Sequence, residues 1–233
     1  MIRIQRSAGR RYVRDGAMKL WRTFDPDNRA DSLHRGGFRS LESLNEVSLP
    51  PGLGFKPNYD EDREVVTYVR EGGLLVRNRP QGDCLIGPGF FQRASSYPWM
   101  TTRVQKISLT HTSSLFLSAI RVPPKEPVAT YEHKHIPFAD RHGRLRLVAS
   151  PNEEAASLRI RADVRMYSSL LDKGYNVVHE LFEGRGAWLH VVEGRVRLVD
   201  QSLETGDGAS FEGEPTVSFT AQEASEVLLF DLA

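Results

Sequence analysis

The sequence predicts an all-β protein made of two similar barrels in tandem. Short runs rich in Val, Leu, Ile and Phe recur along the chain, and polar or proline-containing segments separate them. No segment keeps the 3.6-residue period of a surface helix for long, and this includes the two best helix candidates, 33–45 and 153–171. Glycines also recur at matching distances in the two halves of the chain. A pair of β-barrels or β-sandwiches accounts for these three observations.

The clearest strands flank a glycine pair in "EVVTYVREGGLLVRNR", residues 64–79. The turn Glu71-Gly72-Gly73 predicts a β-hairpin, because glycine adopts the backbone angles that tight turns require. Three more segments read as strands for the same compositional reason: Ser114–Val122, Arg144–Ser150 and Glu226–Leu232.

The two halves carry the same glycine spacing. Gly52 precedes Gly72 by 20 residues, and Gly174 precedes Gly194 by the same interval. A second glycine turn follows each unit, in "GPGFF" and in "GDGASF". We therefore predict an N-terminal domain, a proline-rich linker and a C-terminal domain. Their predicted bounds are 1–128, 129–143 and 144–233.

Composition restricts the classes of function. The chain has 233 residues, with 31 Lys and Arg against 30 Asp and Glu, so its net charge of +1 predicts no nucleic-acid partner. The single cysteine, Cys84, excludes an internal disulfide and a cysteine-cluster zinc site. The basic N-terminus lacks the apolar core of a secretory signal, and no apolar run approaches a membrane span. These features predict a cytoplasmic protein without a membrane partner, either a monomer or a weak homodimer.

One stretch has the spacing of a metal-site motif. Gly52, Asn58, Asp60, Glu64 and Gly72 follow the intervals of the first cupin motif, in which two histidines and a glutamate hold a metal inside a barrel. Across nearly its whole length the chain resembles the pirin family of bicupins. The matching pieces, in order, are "LWRTFDP", "GFRSLESLNE", "TYVREG", "LVASPN", "SLRIRADVRMYSSLLDKG" and "SEVLLFDL".

The resemblance implies two cupin barrels, the first of which holds iron in typical members. It also implies quercetin 2,3-dioxygenase activity in some members, and a role as nuclear transcription cofactors in eukaryotic ones. At the positions of the metal ligands this chain departs from the family. Asn58 and Asp60 stand where typical pirins have histidines, and Thr102 and Val104 stand where a later histidine and glutamate are expected. Glu64 is the remaining position of the set.

Other registers supply no ligand set. Aligning Lys56-Pro57-Asn58 with the family's His-Pro-His gives no histidine, and the second domain offers Glu180, Phe182 and Gly186 at the corresponding positions. Iron in an oxygenase requires imidazole and carboxylate ligands, so we predict that no metal or other cofactor is bound. Two alternatives stay open for Asp60 and Glu64: they hold a hard cation such as Mg²⁺, or they belong to an exposed charged rim partly neutralised by Arg63.

Four further groups favour structural interpretations. His133, His135 and His142 have no carboxylate placed as a clear third ligand, so an exposed strand is favoured over a metal site. The acidic stretch 25–31 lacks the glycine and glutamate of a calcium loop and reads as a polar turn. Cys84 reads as a half-buried strand residue, with its redox activity left open. The aromatic residues near position 95 are predicted to pack the first barrel or to line its mouth; they are Phe90, Phe91, Tyr97 and Trp99.

The first functional hypothesis is a metal-independent protein that binds a small ligand in a barrel or regulates a protein partner. The second is a metal-dependent dioxygenase of the quercetinase type with a nonstandard site on Asp60 and Glu64. A third is metal-free acid–base chemistry by one of these two carboxylates. The choice between enzyme and binding protein stays open here, with the balance against an enzyme, because a barrel fold alone does not assign an activity.

Overall fold

The computed structural model of the chain describes seven segments. They are residues 1–24, 36–55, 62–79, 82–95, 101–106, 111–123 and 130–233. The predictions for Asn58, Asp60, the stretch 25–31, Tyr97 and Trp99 lie outside the described residues.

The described residues are almost entirely strands. Strands β1 to β12 are Ile2–Gln5, Arg11–Asp15, Met18–Arg22, Leu41–Leu49, Gly54–Phe55, Arg63–Glu71, Leu74–Arg79, Gly82–Ile86, Phe90–Ser95, Thr101–Lys106, Ser113–Arg121 and Tyr131–His135. Strands β13 to β22 are Arg146–Ser150, Leu158–Arg159, Val164–Leu171, Asn176–Glu180, Gly186–Glu193, Arg195–Leu198, Gln201–Glu204, Gly208–Glu212, Thr216–Ala221 and Ser225–Leu232. The helical elements are α1, Phe138–Arg141, and two 3-10 turns, Ser7–Gly9 and Glu154–Ala156. No helix in these segments is long and apolar enough to cross a membrane.

Each half of the chain builds a large sheet and a small sheet. In the first half the strand orders are β12-β9-β6-β11-β4-β3-β2 and β5-β10-β7-β8. In the second half they are β1-β20-β17-β22-β15-β13-β14 and β16-β21-β18-β19. Apolar side chains line the space between the two sheets of each half, which forms a barrel. The prediction of an all-β protein with two barrels is confirmed.

The predicted hairpin at Gly72 is wrong, although both of its strands exist. β6 pairs with β9 and β11 in the large sheet, whereas β7 pairs with β8 and β10 in the small sheet. Gly72 has φ of 78° and its Cα lies against Ser113, so a side chain at this position would collide with the start of β11. A glycine in this conformation suits a hairpin turn. At position 72 it instead allows the chain to cross from the large sheet to the small sheet. Gly194 repeats the arrangement against Ser225.

The sheets depart from the predicted domain bounds at two places. β1 pairs with β20, so residues 2–5 complete the large sheet of the second half. β12 lies in the predicted linker and pairs with β9, so it completes the large sheet of the first half. β1 and β12 thus occupy corresponding outer positions in the two large sheets.

The two large sheets pack against each other. Val66, Phe91 and Phe116 of the first half and Trp188 and Phe230 of the second belong to one buried cluster between them. The other face of each large sheet lines its own barrel. The central strands β6 and β17 are therefore buried on both faces, which explains why their sequences show no alternation of apolar and polar residues.

A buried histidine lies in this interdomain layer. His190 on β17 has no solvent exposure, and its ring meets that of Phe116 edge-on at 5.8 Å between centroids. Among the described residues neither ring nitrogen has a hydrogen-bond partner. Burial, with a smaller contribution from the positive charge of Arg10, holds the pKa of His190 well below its usual value.

We expect His190 to make the protein sensitive to acid. In the unfolded chain it takes up a proton as pH falls below about 6.5, while in the folded protein it stays neutral. The unfolding free energy should therefore fall by up to about 1.4 kcal/mol per pH unit below that point. His190→Leu should reduce this dependence in urea titrations between about pH 7.5 and 5.5.

His135→Gln is the matched control, because His135 is exposed. If both variants lose acid sensitivity equally, or if neither does, His190 is not its source.

Candidate functional site

Glu64, the described carboxylate of the predicted metal motif, points away from the first barrel. It is wholly buried on the face of β6 that meets the second half, the same face as Val66. Its Oε2 accepts a hydrogen bond from the backbone N–H of Arg161 at 2.8 Å. Its Oε1 accepts bonds from Arg161 Nε at 3.2 Å and from Arg93 Nη1 at 3.4 Å. Glu64 therefore ties the two halves together.

The prediction of an exposed charged rim does not hold for Glu64. The side chain of Asp62 is 57% exposed, as a rim requires, while that of Glu64 has no exposure. Arg63 is paired with Glu42 on β4, and its Nε lies 4.0 Å from Asp62 Oδ1. The rim interpretation therefore fits Asp62 alone among these residues.

Thr102 and Val104 lie on β10 of the small sheet. Val104 is opposite both Phe55 on β5 and Val76 on β7 in the strand register. The structure thus separates them from Glu64, which belongs to the large sheet and turns to the interdomain layer.

The described positions do not fit iron. Val104 has no donor atom, Thr102 offers only a hydroxyl, and the oxygens of Glu64 are bonded to arginines. In the described segments no group of three His, Cys, Asp or Glu residues is placed to hold a metal ion. The assignment of Asn58 and Asp60 to a ligand site stays a prediction.

The strand registers allow the two barrels to be compared residue by residue. Gly72 and Gly194 align β6 with β17, and Ser113 and Ser225 align β11 with β22. Two equivalent hydrogen bonds align β9 with β20: Gly89 N–H to Val69 O at 2.9 Å, and Gly206 N–H to Val191 O at 2.8 Å. In each barrel, residues paired across these strands face the same interior.

The interior of the second barrel is filled. On its large sheet Ala187, Leu189, Ala209, Phe211 and Leu229 face inward with no solvent exposure. This wall is apolar and closely packed, as protein cores are. It leaves no described polar group free to hold a ligand.

Charged side chains close the end of the second barrel. Asp231 Oδ2 accepts a hydrogen bond from His179 Nε2 at 3.0 Å, and its Oδ1 accepts one from Arg185 Nε at 2.5 Å. Burial alone would raise the pKa of Asp231, but the bonds from His179 and Arg185 outweigh it and hold the pKa below its usual value. Arg185 also pairs with Asp163 at 2.8 Å.

The first barrel has different side chains at the equivalent positions, some of them smaller and some more polar. Ala94 replaces Phe211, and Ala119 replaces Asp231. Thr67 replaces Leu189, and Gln92 replaces Ala209. Asn45, equivalent to Tyr167, has an Oδ1 without a hydrogen-bond partner among the described residues. The inner wall of the first barrel therefore differs from that of the second in its neutral polar groups and in having Ala94 in place of a phenylalanine.

A groove also reaches the first barrel from the side. It has a volume of about 370 Å³ and lies between β8 and β12, where it is lined by Cys84, Tyr131 and His133. Cys84 Sγ lies 3.0 Å from the hydroxyl of Tyr131, which donates to Gln92 Oε1 at 3.2 Å. A hydrogen-bonded path therefore joins the groove to the inner wall.

The equivalent seam of the second barrel is bridged. Arg6 follows β1 and donates to Ser202 O at 2.5 Å and to Gln201 Oε1 at 3.1 Å. It also pairs with Asp207 at 2.9 Å. The side opening is thus a property of the first barrel.

A second polar cluster joins the halves opposite Glu64. Glu226 Oε1 accepts bonds from the hydroxyl of Tyr68 at 2.5 Å and from Arg141 Nη1 at 3.1 Å, while Oε2 accepts one from Arg70 Nε at 3.2 Å. Burial, then the charge of Glu226, raises the pKa of Tyr68. Every described member is bonded to another, so this cluster is an interdomain tie and not a reactive site.

The remaining sequence candidates are structural. His133 and His135 lie exposed on β12, and this confirms the predicted exposed strand. His142 pairs with Asp172 at 3.1 Å. Cys84 is half-buried on β8, as predicted.

The second-domain positions of the motif hold no ligand set, as predicted. Glu180 and Phe182 are exposed. Gly186 leaves space for the side chain of Arg39, whose guanidinium would contact a Cβ there. Arg39 Nη1 donates to Gly184 O at 2.7 Å, so this glycine serves a tie between the two halves.

The sequence prediction missed Thr67, Gln92, Ala94 and Ala119. A signal was present in the alignment of "VVTYVREGG", 65–73, with "AWLHVVEGR", 187–195, which sets Thr67 against a leucine. The other three positions require the strand registers, because their segments share too little sequence to align.

Comparisons with known proteins agree with the fold. Residues 147–232 match the family model described as the quercetinase C-terminal cupin domain. A protein of Escherichia coli K12 named quercetin 2,3-dioxygenase is 30% identical over 100% of this chain and 99% of its own length. A pirin-like protein of Caulobacter vibrioides is 27% identical over 90% of this chain and 88% of its own. The crystal structure of the bacterial pirin YhhW of Escherichia coli in complex with nickel(II) has a TM-score of 0.88 at 27% identity, covering 100% of this chain and 99% of that one.

We expect Glu64 to support folding. Glu64→Gln removes the negative charge between Arg93 and Arg161 and leaves the buried Arg93 with the more distant carboxylate of Glu132 at 3.8 Å. Loss of one partner of a buried ion pair should lower the unfolding free energy by about 3–5 kcal/mol, measured by urea denaturation. Glu154→Gln, which removes a largely exposed pairing with Arg165, should cost less than about 1 kcal/mol. Equal effects of the two changes would contradict the role assigned to Glu64.

Proposed function

The chain belongs to the pirin family of bicupin proteins, and from this premise we propose that it binds a small uncharged molecule in its first barrel without a metal ion. The observation that carries this proposal is the difference between the two inner walls. Where the second barrel has Phe211, Leu189 and Asp231, the first has Ala94, Thr67 and Ala119. An apolar cavity with a few hydrogen-bonding groups is the usual form of a small-molecule site.

The polar groups of the first wall support an uncharged ligand. Asn45, Thr67 and Gln92 offer neutral donors and acceptors, and the charges at the end of this wall, Glu42, Arg63 and Arg121, are paired with one another. A charged ligand without an opposite charge would lose its hydration without compensation. The side groove at Cys84 and Tyr131 gives such a molecule a path to the wall.

Metal independence is supported by the ligand chemistry. Neither Thr102 nor Val104 supplies the imidazole or carboxylate that iron, nickel or copper needs, and Glu64 serves the interdomain layer. Under this proposal the ligand is held by hydrogen bonds and packing alone. A regulatory contact with a protein partner, which the sequence also predicted, would then depend on ligand occupancy.

The alternative is a metal-dependent dioxygenase of the quercetinase type. Its support is that several relatives, including the one from Escherichia coli, are named quercetin 2,3-dioxygenase. It requires a nonstandard site that includes Asp60 and Glu64. The bonds of Glu64 to Arg93 and Arg161 weigh against this requirement.

We predict that the purified protein carries no stoichiometric iron, nickel, copper or zinc, because its residues at the family's ligand positions lack suitable donors. Elemental analysis of protein purified without an affinity tag that binds metal measures this directly. Two results together would favour the dioxygenase: about one such ion per chain, and oxygen uptake with a flavonol that Asp60→Ala abolishes.

We predict that filling the first barrel removes its ligand. Ala94→Phe introduces the side chain that the second barrel has at this position and should occupy the space beside Thr67 and Ala119. Small molecules that copurify with the protein are released by denaturation and measured by mass spectrometry. The variant should lose at least about nine-tenths of any such molecule, as a steric block of the site implies.

Leu85→Phe is the matched control, because Leu85 is 65% exposed and the change places the same phenylalanine side chain outside the barrel. Thermal denaturation shows whether both variants stay folded. A wild-type protein that copurifies with no molecule, or equal loss from both variants, contradicts a ligand site in the first barrel.

A further inference from the structure

Positive charge is concentrated at the start of the chain. The whole chain has 31 basic and 30 acidic residues. Residues 1–24 contain seven basic residues and one acidic residue, so the rest of the chain has 24 basic and 29 acidic residues. The seven basic residues are Arg3, Arg6, Arg10, Arg11, Arg14, Lys19 and Arg22. The overall net charge of +1 conceals this local excess.

Two of these cations form ion pairs that hold the structure together. Arg6 pairs with Asp207 at 2.9 Å, and Arg10 pairs with Glu46 at 3.0 Å. Arg14 donates from Nε to Gly16 O at 3.0 Å, a contact within its own turn. Within the described segments, Lys19, Arg22 and Arg14 form no ion pair.

The hairpin of β2 and β3 carries four of these basic residues. Arg14 is directly opposite Lys19, and Arg11 is directly opposite Arg22. Like charges opposite each other destabilise a sheet. On the next strand, β4, Ser48 lies beside Lys19, and Glu46, which lies opposite Trp21, is paired with Arg10 at 3.0 Å. A hairpin that keeps Arg14 opposite Lys19 gives up some of the stability of its own sheet.

An aromatic pair lies on the same face as Arg14 and Lys19. The rings of Tyr12 and Trp21 are 5.4 Å apart and inclined at 46°, and Tyr12 is 49% exposed. Strand alternation puts these four side chains on one face. The opposite face carries Met18 and Leu20, which pack against the core of the first barrel and hold the hairpin in place.

We propose that this face, formed by Tyr12, Arg14, Lys19 and Trp21, binds single-stranded nucleic acid. A base stacks on the exposed ring of Tyr12, and the guanidinium and ammonium groups two residues along contact the adjoining phosphates. Aromatic rings interleaved with cations on a sheet are the usual means of holding single strands without sequence preference. The described face carries no aliphatic side chain that would insert into a membrane.

The experiment measures fluorescence anisotropy of labelled oligothymidine and oligouridine of about 15 nucleotides with the full chain. Binding by two to four cations should be weak and should fall with salt with a log–log slope of about −1.5 to −3. Arg14→Gln with Lys19→Gln should weaken it at least about tenfold. Tyr12→Ala should weaken it about five- to hundredfold, and should leave binding of dextran sulfate unchanged because that polymer has no bases.

The matched control is Lys173→Gln with Arg197→Gln, which removes two exposed cations from the second half. It should change the affinity less than about twofold, and thermal denaturation should show all variants folded. Three results would overturn the proposal: no anisotropy change at low salt, equal weakening in the control, or no effect of Tyr12→Ala on oligonucleotide binding. Cosedimentation with phosphatidylserine vesicles without oligonucleotide binding would also overturn it.

Discussion

The burial of both faces of the central strands is the constraint on which this structure depends. β6 and β17 each line a barrel with one face and meet the other half of the chain with the opposite face. A polar side chain on the second face has no water to turn to, so it must find its partner across the layer. Glu64 accepts a hydrogen bond from Arg161, and Glu226 accepts hydrogen bonds from Tyr68 and Arg141. These ties fix the two barrels relative to each other.

Much of this fold could be predicted because strands leave local signals. Apolar runs located β6, β11 and β22, and the repeated glycine spacing indicated the duplication. Pairing between distant segments leaves no such signal. Nothing in "IRIQ" indicates that Ile4 lies opposite Ala209, and a left-handed glycine at position 72 suits a hairpin and a crossing between sheets equally well.

The site was harder to predict because the spacing of residues along the sequence does not show which way their side chains point. Glu64 has the interval of a metal ligand, but which face of β6 it occupies depends on the register of the whole sheet. Thr67 and Gln92 are neutral residues of a kind found anywhere in a protein, so their types alone indicate no chemistry. Their meaning comes from the comparison with Leu189 and Ala209, which the paired strands of a duplicated fold make possible.

That comparison also gives the two halves different physical roles. The first barrel has Ala94 where the second has Phe211. Judged by the cost of Phe→Ala changes in protein cores, the smaller side chain lowers the stabilising free energy of burial by about 3–5 kcal/mol. A domain with a marginal unfolding free energy tolerates this only if other contacts compensate. The layer shared with the filled second barrel supplies them. Val65 lines the first interior, and the next residue, Glu64, anchors the same strand to Arg161. If the first barrel binds a molecule as proposed, that molecule would restore packing one residue away from the interdomain tie, and binding and domain association would stabilise each other.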